Sequence, residues 1–239
     1  MKQTTLKQQS YSEQVVRLIK NRIRNGRLRS GDRISELSIA EECGISRSPV
    51  REAMLQLEND GFIMVHPRAG RCVTILTPED IRNRYEVTGA LEAVATASAS
   101  VDARVNGHDW AELKDVLEKI RQTPDTNREC EVRADLGTEF HRLILKRADN
   151  PLITELSWRY CRSVTKFLMF QQWQTLYTAQ ELYDRHYAIY DLLLHGTPRE
   201  VEEGVRAHYA DTADRLAALC PVPPPARDKT ERKAHFPKC

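Results

Sequence analysis

Apolar positions in the first seventy-five residues follow a helical period, then shorten to strand-like runs, and the helical period then holds almost to the end of the chain. Val15, Val16, Ile19 and Ile23 repeat at three- and four-residue intervals behind Ser10 and Glu13, which read as a capping box, and Gly26 ends this first predicted helix. A second, short helix runs from about Ser35 to Cys43 with Leu37 and Ala40 on one face, and Gly44 stands where a helix C-terminus favours glycine. Ser46 then opens a third helix with Pro49 in its first turn, where a missing N–H does no harm. Val50, Ala53, Met54 and Leu57 form its buried stripe, and Gly61 stops it. Phe62 to His66 and Arg71 to Ile75 read as two short strands, with Pro67, Arg68, Ala69 and Gly70 as the turn between them.

Beyond Leu76 the pattern is helical throughout. Thr77-Pro78-Glu79-Asp80 is a helix start, with threonine as cap and proline at the first helical position. The pattern predicts helices at about 78–100, 109–122, 128–148, 151–174, 178–195 and 198–219. Breaks fall near Asn106-Gly107, Pro124, Asn150-Pro151, Gln174 to Tyr177 and Gly196-Thr197-Pro198. Short connections between helices argue for an antiparallel bundle. The expected fold class is therefore mainly α. Residues 1–76 form a winged helix-turn-helix, 77–220 an antiparallel all-helical bundle, and the proline-rich stretch 221–239 a disordered tail.

Composition narrows the class. Apolar residues make up 41% and charged residues 29% of 239, enough to bury a core. No run of apolar residues is long enough to span a bilayer, and Met1 to Ser10 lack the apolar stretch of a secretory signal, so a cytoplasmic protein with no membrane partner is expected. Six cysteines lie far apart with no C-x-x-C pair, which suits a reducing compartment. Charge is unevenly spread: residues 1–75 carry 13 Lys/Arg against 8 Asp/Glu, whereas 76–220 carry 18 against 24. A basic front on an acidic body fits a modular nucleic-acid binder.

The third helix carries the chemistry for that role. A recognition helix enters the major groove with its N-terminal residues toward the bases, so polar and basic side chains gather there. Ser46, Arg47, Ser48 and Arg51 occupy that end, and the two arginines, four apart, share a face. Arginine contacts guanine bidentately or clamps a phosphate, and the serines with the helix N-terminus donate to phosphates.

The stretch from Leu28 to Val73 closely resembles the DNA-binding domain of GntR-family regulators, through Gly44-Ile45-Ser46-Arg47-Ser48-Pro49-Val50-Arg51-Glu52-Ala53-Met54, then Gly61 and Arg68-Ala69-Gly70. The resemblance implies that Ser46, Arg47, Ser48, Pro49, Arg51 and the wing glycine Gly70 face DNA. One departure is Leu37 after Glu36, where some members carry an arginine.

Residues 78–218 resemble the ligand-sensing (FCD-type) domain of the family's FadR-like branch, through Tyr85-Glu86-Val87, Leu91-Glu92, Phe140-His141, Asn150-Pro151, His186 and His208. That resemblance implies a central cavity holding a divalent metal and a small carboxylate. Spacing agrees for two of the residues. His186 and His208 lie equally far from Thr197 in the Gly196–Pro198 turn, so an antiparallel helix pair sets them side by side. His141 comes from an earlier helix, and three imidazoles suit zinc or nickel. Where the family places an aspartate four residues before the first histidine this chain has Gly137, and Asp135 is poorly placed to replace it. Where the family often has an arginine near the bundle's start, it has Thr88. The effector cavity is expected near Thr88, Gly137, His141, His186 and His208.

These readings make the chain a transcription regulator and not an enzyme. It is expected to bind a palindromic double-stranded operator as a homodimer, under control of a small molecule, an organic acid in class. Two alternatives stand beside it: a metal-dependent hydrolase using the three-histidine cavity, and an architectural DNA binder that uses no ligand.

Overall fold

The computed structural model describes residues 10–66, 70–107, 109–126, 129–157 and 163–220. The wing turn at Pro67, Arg68 and Ala69 and the tail 221–239 lie outside the described residues.

The N-terminal half follows the apolar pattern closely. Helix α1 (Tyr11–Arg24) begins in the expected capping box, Ser10 and Glu13 each bonding the other's backbone. Helix α2 (Glu36–Cys43) is capped by the Ser35 side chain and ends at Gly44, whose φ of 64° is the left-handed conformation that favours glycine. Helix α3 (Arg47–Asn59) buries Val50, Ala53, Met54 and Leu57 completely. At roughly 1.5–3 kcal/mol for each large apolar side chain buried, this stripe fixes how α3 rotates about its own axis. The arginines four apart on the other side are thereby turned outward. Strands β1 (Ile63–His66) and β2 (Gly70–Val73) pair antiparallel, Ile63 opposite Val73 and His66 opposite Gly70.

The second half is helical as expected, with two differences. Helix α4 (Pro78–Asn106) starts in a Thr77/Asp80 capping box and runs on to Gly107, past the predicted stop at residue 100. Its final turns hold because Ala99 and Ala103 remain buried. Helices α5 (Ala111–Gln122) and α6 (Cys130–Arg147) follow as expected. Over the predicted helix 151–174 the described residues form α7 (Pro151–Leu156), α8 (Ser163–Leu168) and α9 (Phe170–Gln174), with a break at Met169, and residues 158–162 lie outside the described residues. The reason lies in where its apolar side chains go. Val164 joins the N-terminal core, whereas Met169 joins the core of the bundle, and one straight stripe cannot serve both. Helices α10 (Ala179–His195) and α11 (Pro198–Ala218) close the chain as an antiparallel pair, and α11 packs along α4.

The apolar interior forms two clusters. One joins α1, α2, α3 and the hairpin with Val164 of α8, and the other fills the bundle from Leu76 to Cys220.

Candidate nucleic-acid interface and metal centre

Ser46 occupies the N-cap position of α3, but its side chain makes no capping hydrogen bond. Two guanidinium groups follow on the exposed face: the side chains of Arg47 and Arg51 are 63% and 68% accessible. The carboxylate of Glu36, at the start of α2, lies between them. Its Oε2 is 4.0 Å from Arg47 and 3.7 Å from Arg51, and its Oε1 bonds Arg71 of β2 at 2.5 Å. Exposed pairs of this kind contribute at most about 1 kcal/mol each. Their effect is to hold both arginines over one carboxylate without using up their donors. Gly70 is exposed, with φ of 75°, as the first residue of β2. Leu37 is exposed and does not share the buried face expected with Ala40; α2 buries Ile39 and Ala40 instead.

In the bundle, three imidazoles from three helices meet. Ring centroids of His141 (α6), His186 (α10) and His208 (α11) are 5.1–5.2 Å apart in all three pairings, a nearly equilateral triangle. One nitrogen from each lies within 4.8 Å of the others. The symmetric spacing of His186 and His208 about Thr197 thus becomes real proximity.

Two of the rings are oriented from behind. His186 Nδ1 donates to the Leu182 carbonyl at 2.7 Å. His141 Nδ1 faces Glu92 at 3.2 Å and the Tyr209 hydroxyl at 3.1 Å. Both contacts place the proton on Nδ1 and leave the Nε2 lone pair available as a metal ligand. Glu92 is almost wholly buried, accepting from Ser157 Oγ at 2.6 Å and from the Tyr209 hydroxyl. A buried carboxylate costs several kcal/mol unless its oxygens are satisfied, and these three partners satisfy them. The donor set therefore fits a late first-row divalent ion: three imidazoles, two of them oriented by carboxylate and carbonyl partners.

Around the imidazoles lies a cavity of about 30 Å³, lined also by Tyr85, Gly137, Lys166, Trp173, Tyr177 and Arg185. Gly137 faces it directly: a Cβ there would stand 3.4 Å from the His186 ring. Thr88 does not line it. That side chain is buried and turns its hydroxyl to the Arg84 carbonyl at 2.8 Å, so Tyr85 is the α4 residue on the cavity. Residue reasoning missed Lys166, Trp173, Tyr177 and Arg185 as lining residues. The signal for Arg185 was its adjacency to His186, and the signal for Glu92 was a lone acid in the small-residue run Ala90–Ala99.

A winged helix presenting two exposed arginines over the Glu36 carboxylate, joined to a helical bundle with an imidazole cavity, defines a DNA-binding transcription regulator. The chain belongs to the GntR family of bacterial regulatory proteins, in the branch that carries an FCD domain: the gntR-family pattern matches residues 11–73 and the FCD domain residues 83–211. The HTH-type transcriptional regulator YdhC of Bacillus subtilis is 26% identical over 206 residues, 86% of this chain and 91% of that protein. An HTH-type regulator from the TAR-I ttuE-ttuC' intergenic region of Agrobacterium vitis is 42% identical over 103 residues, 43% of this chain and 60% of that protein. Among solved structures, E. coli McbR/YncC shares the fold at a TM-score of 0.59 and 24% identity, covering 89% of this chain and 98% of that one. A GntR regulator from Rhodococcus sp. RHA1 does so at 0.63 and 20%, covering 88% and 99%. The matched families and relatives are transcription regulators, not enzymes, which turns the three-histidine cavity away from the hydrolase alternative.

Proposed function

We propose that the chain binds a palindromic operator as a homodimer and that a small organic acid in the bundle cavity alters its affinity for that operator. In this reading residues 1–76 are the DNA-binding unit, 77–220 the sensing and dimerising unit, and 221–239 a tail that belongs to neither. The protein acts in the cytoplasm, where bacterial DNA is, and no described helix is long and apolar enough to cross a membrane.

Ser46, Arg47, Ser48, Pro49, Arg51 and Gly70 are the proposed DNA-facing residues. The first turn of α3 offers N–H groups and hydroxyls to phosphates, while Arg47 and Arg51 reach base edges. Support for the homodimer comes from α4, where Val87, Val94 and Val101 recur every seven residues and are each 43–51% exposed. An apolar seam of that period on the outside of a long helix fits a second copy of itself.

The observation that carries the sensor reading is the convergence of the three imidazoles in a cavity whose wall also carries Lys166 and Arg185. His141, His186 and His208 would hold a zinc or nickel ion, which when bound supplies a Lewis-acidic anchor for one oxygen of an anionic ligand. Glu92 and the Leu182 carbonyl keep the rings aimed; Lys166 and Arg185 supply positive charge.

Metal analysis of the purified protein tests the site, with roughly one equivalent expected per chain and its loss in His186→Ala. A mobility shift on the promoter beside its own gene, titrated with acetate, succinate and citrate, tests the sensor. At least one acid is expected to change DNA affinity by about fivefold or more, the usual lower range of such coupling. An affinity that no acid moves, in protein that holds metal, rejects the sensor.

A further inference from the structure

The cavity wall includes one side chain whose helix also belongs to the DNA-binding half. Lys166 sits on α8 with 13% of its side chain accessible. Its ammonium donates to the Ala134 carbonyl at 2.8 Å and to the Thr138 hydroxyl, lies 3.6 Å from Asp135, and stands 5.1 Å over the Trp173 ring. Ala134 and Thr138 flank Gly137 on α6, so Lys166 is held at the edge of the space that the missing Gly137 side chain leaves open.

The other face of the same segment reaches the winged helix. Val164 is 1% exposed within the core of α1, α2 and α3, and Phe167 meets Phe62 edge to face with centroids 5.6 Å apart. Just beyond, Phe170 lies under the Arg24 guanidinium at 4.4 Å, and Gln171 donates to the Arg24 carbonyl at 2.8 Å. Residues 164–173 therefore form a single wedge, with Lys166 and Trp173 toward the cavity and Val164, Phe167 and Phe170 toward the DNA-binding half.

Size decides which wall moves. About 30 Å³ is room for one or two water molecules, not for an organic acid. The other walls belong to helices of 29, 18, 17 and 21 residues packed on each other, whereas the α8–α9 segment is interrupted at Met169. A ligand that enlarges the cavity does so most cheaply against the interrupted segment. Charge decides what enters. Arg185 is already engaged by Asp211, the His208 carbonyl and Thr212 Oγ1, while the bonds of Lys166 to the Ala134 carbonyl and the Thr138 hydroxyl, beside the Asp135 carboxylate at 3.6 Å, are ones that an oxyanion in the cavity can replace.

We infer that Lys166 is the residue that reads an oxyanion in this cavity, and that its transfer from Ala134 and Thr138 to the anion shifts α8 and with it the winged helix. This deepens the effector reading above and rests on it. Lys166 determines the ligand class; Phe167 and Val164 transmit its occupancy by packing alone.

The test uses the full chain carrying Trp110→Phe and Trp158→Phe, with acetate and succinate as probes and two readouts: emission of Trp173, the remaining tryptophan, from the cavity wall, and anisotropy of a labelled promoter duplex. Lys166→Met is expected to weaken anion binding at least tenfold, and Lys166→Arg to restore it to within threefold, which a merely misfolded cavity would not allow. Phe167→Ala is expected to bind the anions within threefold of the parent while the anion's effect on duplex affinity falls to less than half. Anion affinity in Lys166→Met equal to that of the parent overturns the inference, as does a full duplex response in Phe167→Ala, or a parent protein that binds neither anion. Failure of the parent to bind duplex at all, with the emission changes intact, strikes instead at the regulator reading and leaves the assignment of Lys166 standing.

Discussion

Gly137 lines the imidazole cavity, and the structure shows what its missing side chain leaves beside the rings. An α-carbon without a side chain faces the His186 ring, and a Cβ added there meets that ring at 3.4 Å, close contact that a small shift of the imidazole relieves. Gly137→Asp is therefore expected to place a fourth ligand beside the three imidazoles and to raise zinc affinity at least tenfold, measured by competition with a chelating dye. Equal or weaker zinc binding would show that the ring triangle is not a metal site. The vacancy itself was implied by the family resemblance, which expects an aspartate four residues before His141. Glu92 was named with Leu91 in the resemblance, but its place behind the His141 ring was not legible. Its role depends on Ser157 and Tyr209, which are 65 and 117 positions away and come together only in the folded bundle. Thr88 failed as a cavity residue for a simpler reason: one turn of helix separates facing the cavity from facing the backbone of α4.

Elements were legible wherever local chemistry was enough to define them. Capping boxes at Ser10, Thr77, Thr178 and Thr197 set the starts of α1, α4, α10 and α11. The turn before α11 is also shaped by Gly196, where any Cβ would meet the Leu192 carbonyl oxygen at 2.8 Å. This turn aligns His186 with His208, so its cap affects the site as well as stability. Thr197→Ala is expected to cost about 1 kcal/mol and to lower the melting temperature by roughly 2–4 °C, with duplex affinity unchanged. A melting temperature identical to the parent's would mean the cap is not holding the turn. The region from Pro151 to Gln174 was not legible, because its apolar residues serve two cores at once. Helical periodicity detects one buried stripe and has no means of reporting that Val164 and Met169 belong to different ones.

For the whole molecule, the two-part organisation followed from the change in pattern at Leu76 and from the basic front on an acidic body. What pattern did not convey is that the parts share α8, and that α4 keeps a valine seam exposed while its other side packs on α11. If that seam joins two copies, Val94→Glu puts two carboxylates at its centre. Sedimentation is then expected to show a monomer, and duplex affinity to fall more than tenfold as the second half-site contact is lost. A variant that sediments as the parent does would move the interface elsewhere.

The central claim is that α3 turns Arg47 and Arg51 into a DNA groove. It is tested most directly by binding of the full chain to a labelled promoter duplex across a series of salt concentrations, beside Arg51→Ala and the Arg47→Ala, Arg51→Ala pair. The account expects tight binding at low salt that falls linearly on logarithmic axes. It also expects a loss of about 1–3 kcal/mol for Arg51→Ala, roughly five- to 150-fold, and a larger loss for the pair, with helical content preserved. Parent protein that ignores duplex at low salt, or a double variant that binds as well as the parent, would contradict it.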